Sequence, residues 1–344
     1  MVTIEDVARA AGVSRQTVSR VINRGPNVKA EVRQRVEALV EALGYVPNLS
    51  ARRMGGGRSF LILAVNDRAR TLENWRAGRG NDWVDQMLYG GMTECERHGY
   101  HLVFELIDTG ADVAVRQLAN VIGALRPDGV ILTPPHSEND ALVALLDQRA
   151  IPCARIGYRG QGAHIDVYMD ERRAAREITE HLLALGHRRL GFIAGTPSYG
   201  ASRARIEGFR GAITSAGLPD DAGFVRNGDF KFETAAGIVA EALAQDPAPT
   251  AIIADNYEMA FAVLHVADRE GVRVPDTLSV VSFEDTPGVR FSVPPLSAIR
   301  QPTAAMIEKA CERLIAAASG EASAGCYELP YLYLERASIG PGPP

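Results

Sequence analysis

Val2-Thr3-Ile4-Glu5-Asp6-Val7-Ala8 opens the chain, followed shortly by Gly12-Val13-Ser14-Arg15-Gln16-Thr17-Val18-Ser19-Arg20-Val21-Ile22-Asn23 and later by Tyr45-Val46-Pro47-Asn48. Ile4, Val7, Ala8 and Ala11 recur at helical spacing and predict a first helix with one buried face. Gly12 follows where a tight turn tolerates positive φ at low steric cost. Ser14 stands at the N-cap of a second helix. Inward packing of Val18, Val21 and Ile22 leaves Arg15, Gln16, Ser19 and Arg20 on its outer face. Arginine pairs bidentately with guanine and glutamine with adenine, so this face suits the DNA major groove. A third run, Lys29 to Leu43, repeats apolar residues at Val32, Val36, Leu39, Val40 and Leu43, with Gly44 as its C-cap. Three helices of this kind form an all-α helix-turn-helix headpiece.

Charge divides the chain the same way. Its formal net charge is −5, yet residues 1–58 hold ten Lys/Arg against five Asp/Glu, and the remainder is acidic. A basic end can neutralise phosphates while the bulk is repelled from them. Met54-Gly55-Gly56-Gly57-Arg58-Ser59 reads as a flexible joint, because successive glycines hold neither helix nor strand. It lacks the preceding strand and the Lys-Ser/Thr of a phosphate-cradling loop.

Beyond Phe60, short apolar runs alternate with amphipathic ones. Strands are expected at residues 60–65, 101–105, 129–133 and 152–156, and a second series at 165–168, 190–194, 251–254 and 279–283. Helices are expected between them, at 83–97, 112–125, 139–148, 171–185, 203–216, 234–244, 258–270 and 304–318. Such alternation means parallel sheets covered on both faces, here two doubly wound lobes in an α/β core. Ligands of such lobes bind at the carboxyl ends of the strands.

The headpiece motifs T-I-x-D-V-A, G-V-S-x-x-T-V-S-R-V-x-N and G-Y-x-P-N resemble those of the lactose-repressor (LacI/GalR) transcription-factor family. His181-Leu182-Leu183-Ala184-Leu185-Gly186-His187-Arg188-Arg189 and Val274-Pro275-Asp276-Thr277-Leu278-Ser279 resemble two signatures of its body. The resemblance implies a periplasmic-binding-protein-like core whose chain crosses between lobes three times. It implies a headpiece over residues 1–46, a hinge helix and linker over 47–59, and a ligand-binding and dimerising core over 60–340. Within that core the N-lobe is expected at about 60–157 and 297–325, and the C-lobe at about 158–296 and 326–340.

The same resemblance makes Arg15, Gln16 and Arg20 base readers and Met54 the apolar wedge of a minor-groove hinge that starts at Asn48. Thr3, Ser14, Thr17 and Ser19 join the expected DNA-binding set in the headpiece. Asn23, Ala51 and Arg52 complete it. For the ligand it implies Arg205 gripping hydroxyls or a carboxylate, Phe230 stacking on a ring, and Asn256, Glu284 and Gln301 as polar cleft residues. Glu284 stands where the family usually has aspartate, so its extra methylene should shrink the pocket or shift the contact.

Residues 66–83 form a longer and more polar connection than a first βα loop needs, at a strand end where a ligand would be met. Trp83 is taken as a stacking platform there, ahead of Trp75, and His136 as a further lining residue. No catalytic pattern competes. Ser198 is one residue off a nucleophile elbow, and His181 and His187 are too far apart for a zinc pair. The four cysteines are scattered, so neither a disulfide frame nor a metal site is expected. Nothing reads as a signal peptide or membrane span, which places the expected protein in the cytoplasm, on the nucleoid. The expectation is a repressor without enzyme activity or cofactor, acting as a homodimer on double-stranded operator DNA under allosteric control by a sugar. A purine or nucleoside corepressor is the alternative.

Overall fold

A computed structural model describes residues 2–22, 25–45, 58–219 and 222–343. Asn23, Asn48, Ala51, Arg52 and Met54, with the expected hinge helix, lie outside the described residues. The headpiece contains α1 (Ile4–Ala11), α2 (Arg15–Ile22) and α3 (Ala30–Leu43). Thr3 and Asp6 form a reciprocal capping box at the start of α1, which satisfies backbone donors that the first helical turn leaves open. Gly12 and Gly44 take left-handed φ of 64° and 62° at the two helix ends, as a side chain would resist. Val7, Ala8, Ala11, Val18, Val21, Val36 and Tyr45 close a small core of their own.

The body begins with β1 (Leu61–Asp67), then α4 (Arg68–Arg76), α5 (Asp82–Arg97), β2 (His101–Ile107), α6 (Ala111–Leu125), β3 (Gly129–Leu132), α7 (Asp140–Gln148), β4 (Cys153–Ile156) and β5 (Ile165–Tyr168). It continues with α8 (Glu171–Ala184), β6 (Leu190–Ala194), α9 (Gly200–Ser215), β7 (Gly223–Asn227), α10 (Phe232–Leu243), β8 (Ala251–Ala254), α11 (Tyr257–Arg269), β9 (Ser279–Ser282) and α12 (Pro287–Phe291). The last elements are β10 (Ser297–Arg300), α13 (Thr303–Ala318), β11 (Gly325–Glu328) and β12 (Leu332–Leu334).

These strands build two sheets, ordered β11-β5-β4-β3-β1-β2 and β12-β10-β9-β8-β6-β7. All pairings are parallel except β10 with β12. Alternation along each strand feeds two faces. Ile62 and Ala64 pack towards α5 and α13, whereas Leu63 and Val65 pack towards α6 and α7. In the second sheet Phe192 meets α8 and α9, and Ile193 meets α10 and α11. Parallel strands buried on both sides explain the near-continuous apolar runs.

The topology corrects the expected lobe boundaries. Ile165–Tyr168 pairs with β4 and so belongs to the first sheet, not to a second series. Ser297–Arg300 pairs with β9 in the second sheet, and Gly325–Glu328 pairs with β5 in the first. The chain therefore crosses between β5 and α8, between β10 and α13, and between β11 and β12. Backbone hydrogen-bond partners decide lobe membership, and local periodicity carries no record of them. The polar segment after β1 is also not a loop: α4 occupies it, with the Asp67 side chain capping the Arg70 N–H at 3.1 Å.

Candidate functional site

The three crossings set the carboxyl ends of both sheets face to face, with a cavity of about 160 Å³ between them. Trp83, Arg205, Phe230, Asn256, Glu284 and Gln301 all line it. His136 does not: it is 1% exposed, with its Nε2 3.1 Å from the Ile107 carbonyl oxygen, and burial lowers its pKa. That correction has a simple cause, since the turn after β3 folds the ring back into the lobe. Trp75 also stays away, half-exposed and tilted against Phe104 at 6.2 Å.

Arg205 projects from α9 into a buried polar knot. Its Nε donates to Glu171 Oε2 at 2.7 Å, and its Nη1 donates to Asp255 Oδ1 at 2.6 Å and to the Asp255 carbonyl at 3.0 Å. Asp255, at the carboxyl end of β8, also accepts from the Gly195 N–H at 2.7 Å and from the Ser202 hydroxyl. Burial pulls the guanidinium down, but Glu171 and Asp255 overcome it and raise the pKa of Arg205. The guanidinium lies 4.4 Å above the Phe283 ring, and its Nη2 has no protein partner among the described residues. The two N–H donors of Nη2 are thus left for a ligand, on a group whose other bonds fix its position.

Phe230 sits on a turn where both Asp229 and Phe230 take positive φ, 54° and 57°. A backbone of this kind costs on the order of 1–3 kcal/mol per residue and persists only where its surroundings enforce it. Three contacts do so here. Arg70 donates to the Asp229 carbonyl at 2.7 Å and to its carboxylate at 2.8 Å. The Asn256 amide donates to the Phe230 carbonyl at 3.3 Å. The missing side chain at Gly195 makes room for the ring, since a Cβ there would lie 2.0 Å from it. Asn256 otherwise caps α11, accepting from the Met259 N–H at 3.0 Å. Gln301 donates to the Phe283 carbonyl at 2.5 Å beside a crossover. Both amides thus hold backbone at the cavity wall.

Glu284 lies deep in the cleft and opens only onto the cavity. It accepts from the Tyr257 N–H at 3.2 Å. Burial pushes its carboxyl up to about 8, with Asp82 and Asp255 adding to the rise and Arg205 opposing it. Neighbouring Asp285 differs: Arg290, Arg300 and Arg336 surround it and hold its pKa below the ordinary range. The two acids of this pair therefore divide their roles, one facing the cavity and one tying strands together.

Sequence reasoning missed the residues that join the lobes. Tyr199 donates to Asp67 at 2.9 Å, Tyr257 donates to the Arg79 carbonyl at 3.0 Å, and Lys231 pairs with Glu73 at 3.0 Å. Burial, with Asp67 next, raises the pKa of Tyr199 and keeps it a donor. Asp67 ends β1 and Asp255 directly follows β8, so the strand-end rule could have found both.

In the headpiece, Arg15, Gln16 and Arg20 are exposed along α2. Ser14 accepts from the Thr17 N–H at 3.1 Å and shares a 2.9 Å bond with the Thr17 hydroxyl, so this pair fixes the start of the helix. Thr3 is committed to its capping box, and Ser19 is half-buried. The exposed basic face and the two-lobed cleft are separate sites on one chain.

Residues 3–48 match the family described as bacterial regulatory proteins, lacI family, and residues 179–339 match a periplasmic binding protein-like domain. The chain is 30% identical to the HTH-type transcriptional regulator CelR of Thermobifida fusca over 93% of this chain and 92% of that regulator. Its fold superimposes on the lac repressor dimer bound to operator and the anti-inducer ONPF with a TM-score of 0.81, at 26% identity, covering 98% of this chain and 99% of that one. A complex of the transcriptional regulator CelR with cellobiose gives a TM-score of 0.72 at 27% identity, covering 98% and 100%.

Proposed function

Since this chain belongs to the lacI family of bacterial regulatory proteins, we propose that a small carbohydrate held between its lobes controls its grip on operator DNA. The chain is a DNA-binding transcriptional regulator with a ligand-binding body, and its relatives are regulators, not enzymes. No helix among the described residues is long and apolar enough to cross a membrane. The observation that carries the carbohydrate reading is the wall of the cleft. It combines the rings of Phe230, Tyr199 and Tyr257 with an indole, Trp83, and an excess of oxygen acceptors around Arg205. Rings suit the apolar faces of a sugar, and acceptors suit its hydroxyl donors.

Arg15, Gln16 and Arg20 read base edges in this proposal, and a homodimer presents two headpieces to a pseudo-palindromic site. Asn48, Ala51, Arg52 and Met54 supply the hinge contacts. The cleft acts as a repressor's switch through differential affinity: a ligand that binds one lobe arrangement better shifts the population towards it.

Thermal stability of the purified protein across sugars and purines tests the effector class, because a ligand of the folded state raises the melting temperature by mass action. A shift with sugars supports the reading. A shift with purines alone replaces it by the corepressor alternative.

A further inference from the structure

Six carboxylates line the cleft against two guanidinium groups. Both guanidinium groups are already engaged, Arg205 by Glu171 and Asp255 and Arg70 by Asp229. Asp67 is occupied by Tyr199 and by the start of α4. Glu258 has Arg79 3.7 Å away as its one ion pair among the described residues. Glu284 and Asp82 remain as the lining carboxylates with neither an ion pair nor a side-chain hydrogen bond among the described residues: Glu284 accepts one backbone N–H, and Asp82 lies at the first turn of α5 on the opposite lobe. A neutral sugar supplies hydroxyl donors to such a wall but no positive charge to pair with Asp82 and Glu284. A cation satisfies both.

We propose that the effector is an amino sugar whose protonated amine is held between Glu284 and Asp82. The proposal rests on the carbohydrate reading of the same cleft and narrows it to a cationic member of that class. The extra methylene of Glu284 lets its carboxylate reach further into the cavity than an aspartate would. Charged groups facing Glu284 come from every side: Asp82 from α5, Arg205 from α9 and Asp255 from the end of β8, with Tyr257 giving its backbone N–H from α11. Burial raises Asp82 as well, Asp85 adds to it, and Arg290 works against it. An ammonium group placed between the two acids reverses their mutual repulsion, so Glu284 ionises on binding and gives up its proton. Charge-assisted hydrogen bonds in such a site are stronger than neutral ones.

The experiment compares D-glucosamine, D-galactosamine and D-mannosamine, and the β-1,4 dimer of glucosamine, each with its N-acetyl and its hydroxyl counterpart. Affinity is read by titration calorimetry on the full chain at pH 6.5. At least one free amine should bind about tenfold or more tightly than both counterparts, as a charge-assisted pair requires. The same titration in buffers of differing ionisation enthalpy should report proton release with the amine and none with the hydroxyl analogue. Glu284→Gln and Asp82→Asn should each erase the preference for the amine over its N-acetyl form. A preference that survives both substitutions overturns the placement. Equal or weaker binding of every amine overturns the proposal while neutral-sugar binding keeps the carbohydrate reading. Binding by purines alone overturns both.

Discussion

Arg205 shows how a residue carried over for one role turns out to hold two. Its side chain is 4% exposed and joins two carboxylates that have no other ion pair among the described residues. Removing one partner of such a buried network leaves charge uncompensated, at a cost of about 3–5 kcal/mol. Arg205→Ala should therefore lower unfolding stability by that amount in urea titration as well as remove the ligand response; unchanged stability would show the knot to be weaker than its geometry. Glu284 gives a pH signature of opposite kind. Its folded pKa, about 8, lies above the ordinary 4.5, so the folded state binds a proton that the unfolded state has released. Its ionisation costs stability progressively as pH rises from about 4.5 to about 8, and nothing below that window. Melting temperature followed from pH 5 to pH 8.5 should fall less steeply in Glu284→Gln than in the wild type.

Elements are placed by close backbone approaches as much as by apolar stripes. Gly90 lies in α5 where a Cβ would come 2.2 Å from the Ala304 carbonyl oxygen of α13. Gly90→Ala gains helix propensity but drives the two helices apart, and overpacking of this kind costs about 1–3 kcal/mol. Thermal unfolding should show a net loss, whereas Gly123→Ala on the open face of α6, with nothing near its Cβ, should show none. Most helices here were legible because their apolar residues repeat at helical spacing over three or more turns. Arg68–Arg76 was not, since Thr71 is its one buried residue and four of its nine residues are charged. Only the Asp67 cap marks it, and a cap without an apolar run is a weak signal. Its fold is dictated by what it bridges, with Arg70 and Lys231 linking it to the turn at Asp229 in the other lobe.

At the scale of the molecule, that bridge ties the lobes across the cleft. Arg70 is largely buried but Asp229 is 41% exposed, so severing the pair should change global stability by less than about 1 kcal/mol. Arg70→Ala should instead loosen the lobe contact. Hydrogen exchange should accelerate in Arg68–Arg76 and around Asp229 while the β6 and β8 amides keep their protection; uniform acceleration would mean global destabilisation. The motif around Gly186-His187 works at this scale too. His187 bonds Thr250 at 2.9 Å and the Gly340 carbonyl at 3.1 Å, so this family signature secures the segment at Gly340 to the second lobe.

The sequence by itself determined the headpiece and the alternation of strand and helix, and it pointed to six residues of the cleft wall: Trp83, Arg205, Phe230, Asn256, Glu284 and Gln301. The headpiece and the alternation are written in local spacing, as a cap, a turn glycine or an apolar repeat; Trp83 stands near a strand end, and the other five cleft residues came through the family resemblance. Only the tertiary structure decided that Ile165–Tyr168 belongs to the first lobe, that His136 turns away from the cavity, and that Arg205 spends most of its donors on Glu171 and Asp255. Sheet partners and ion pairs join residues far apart in the chain, and their energies depend on burial that no local pattern encodes.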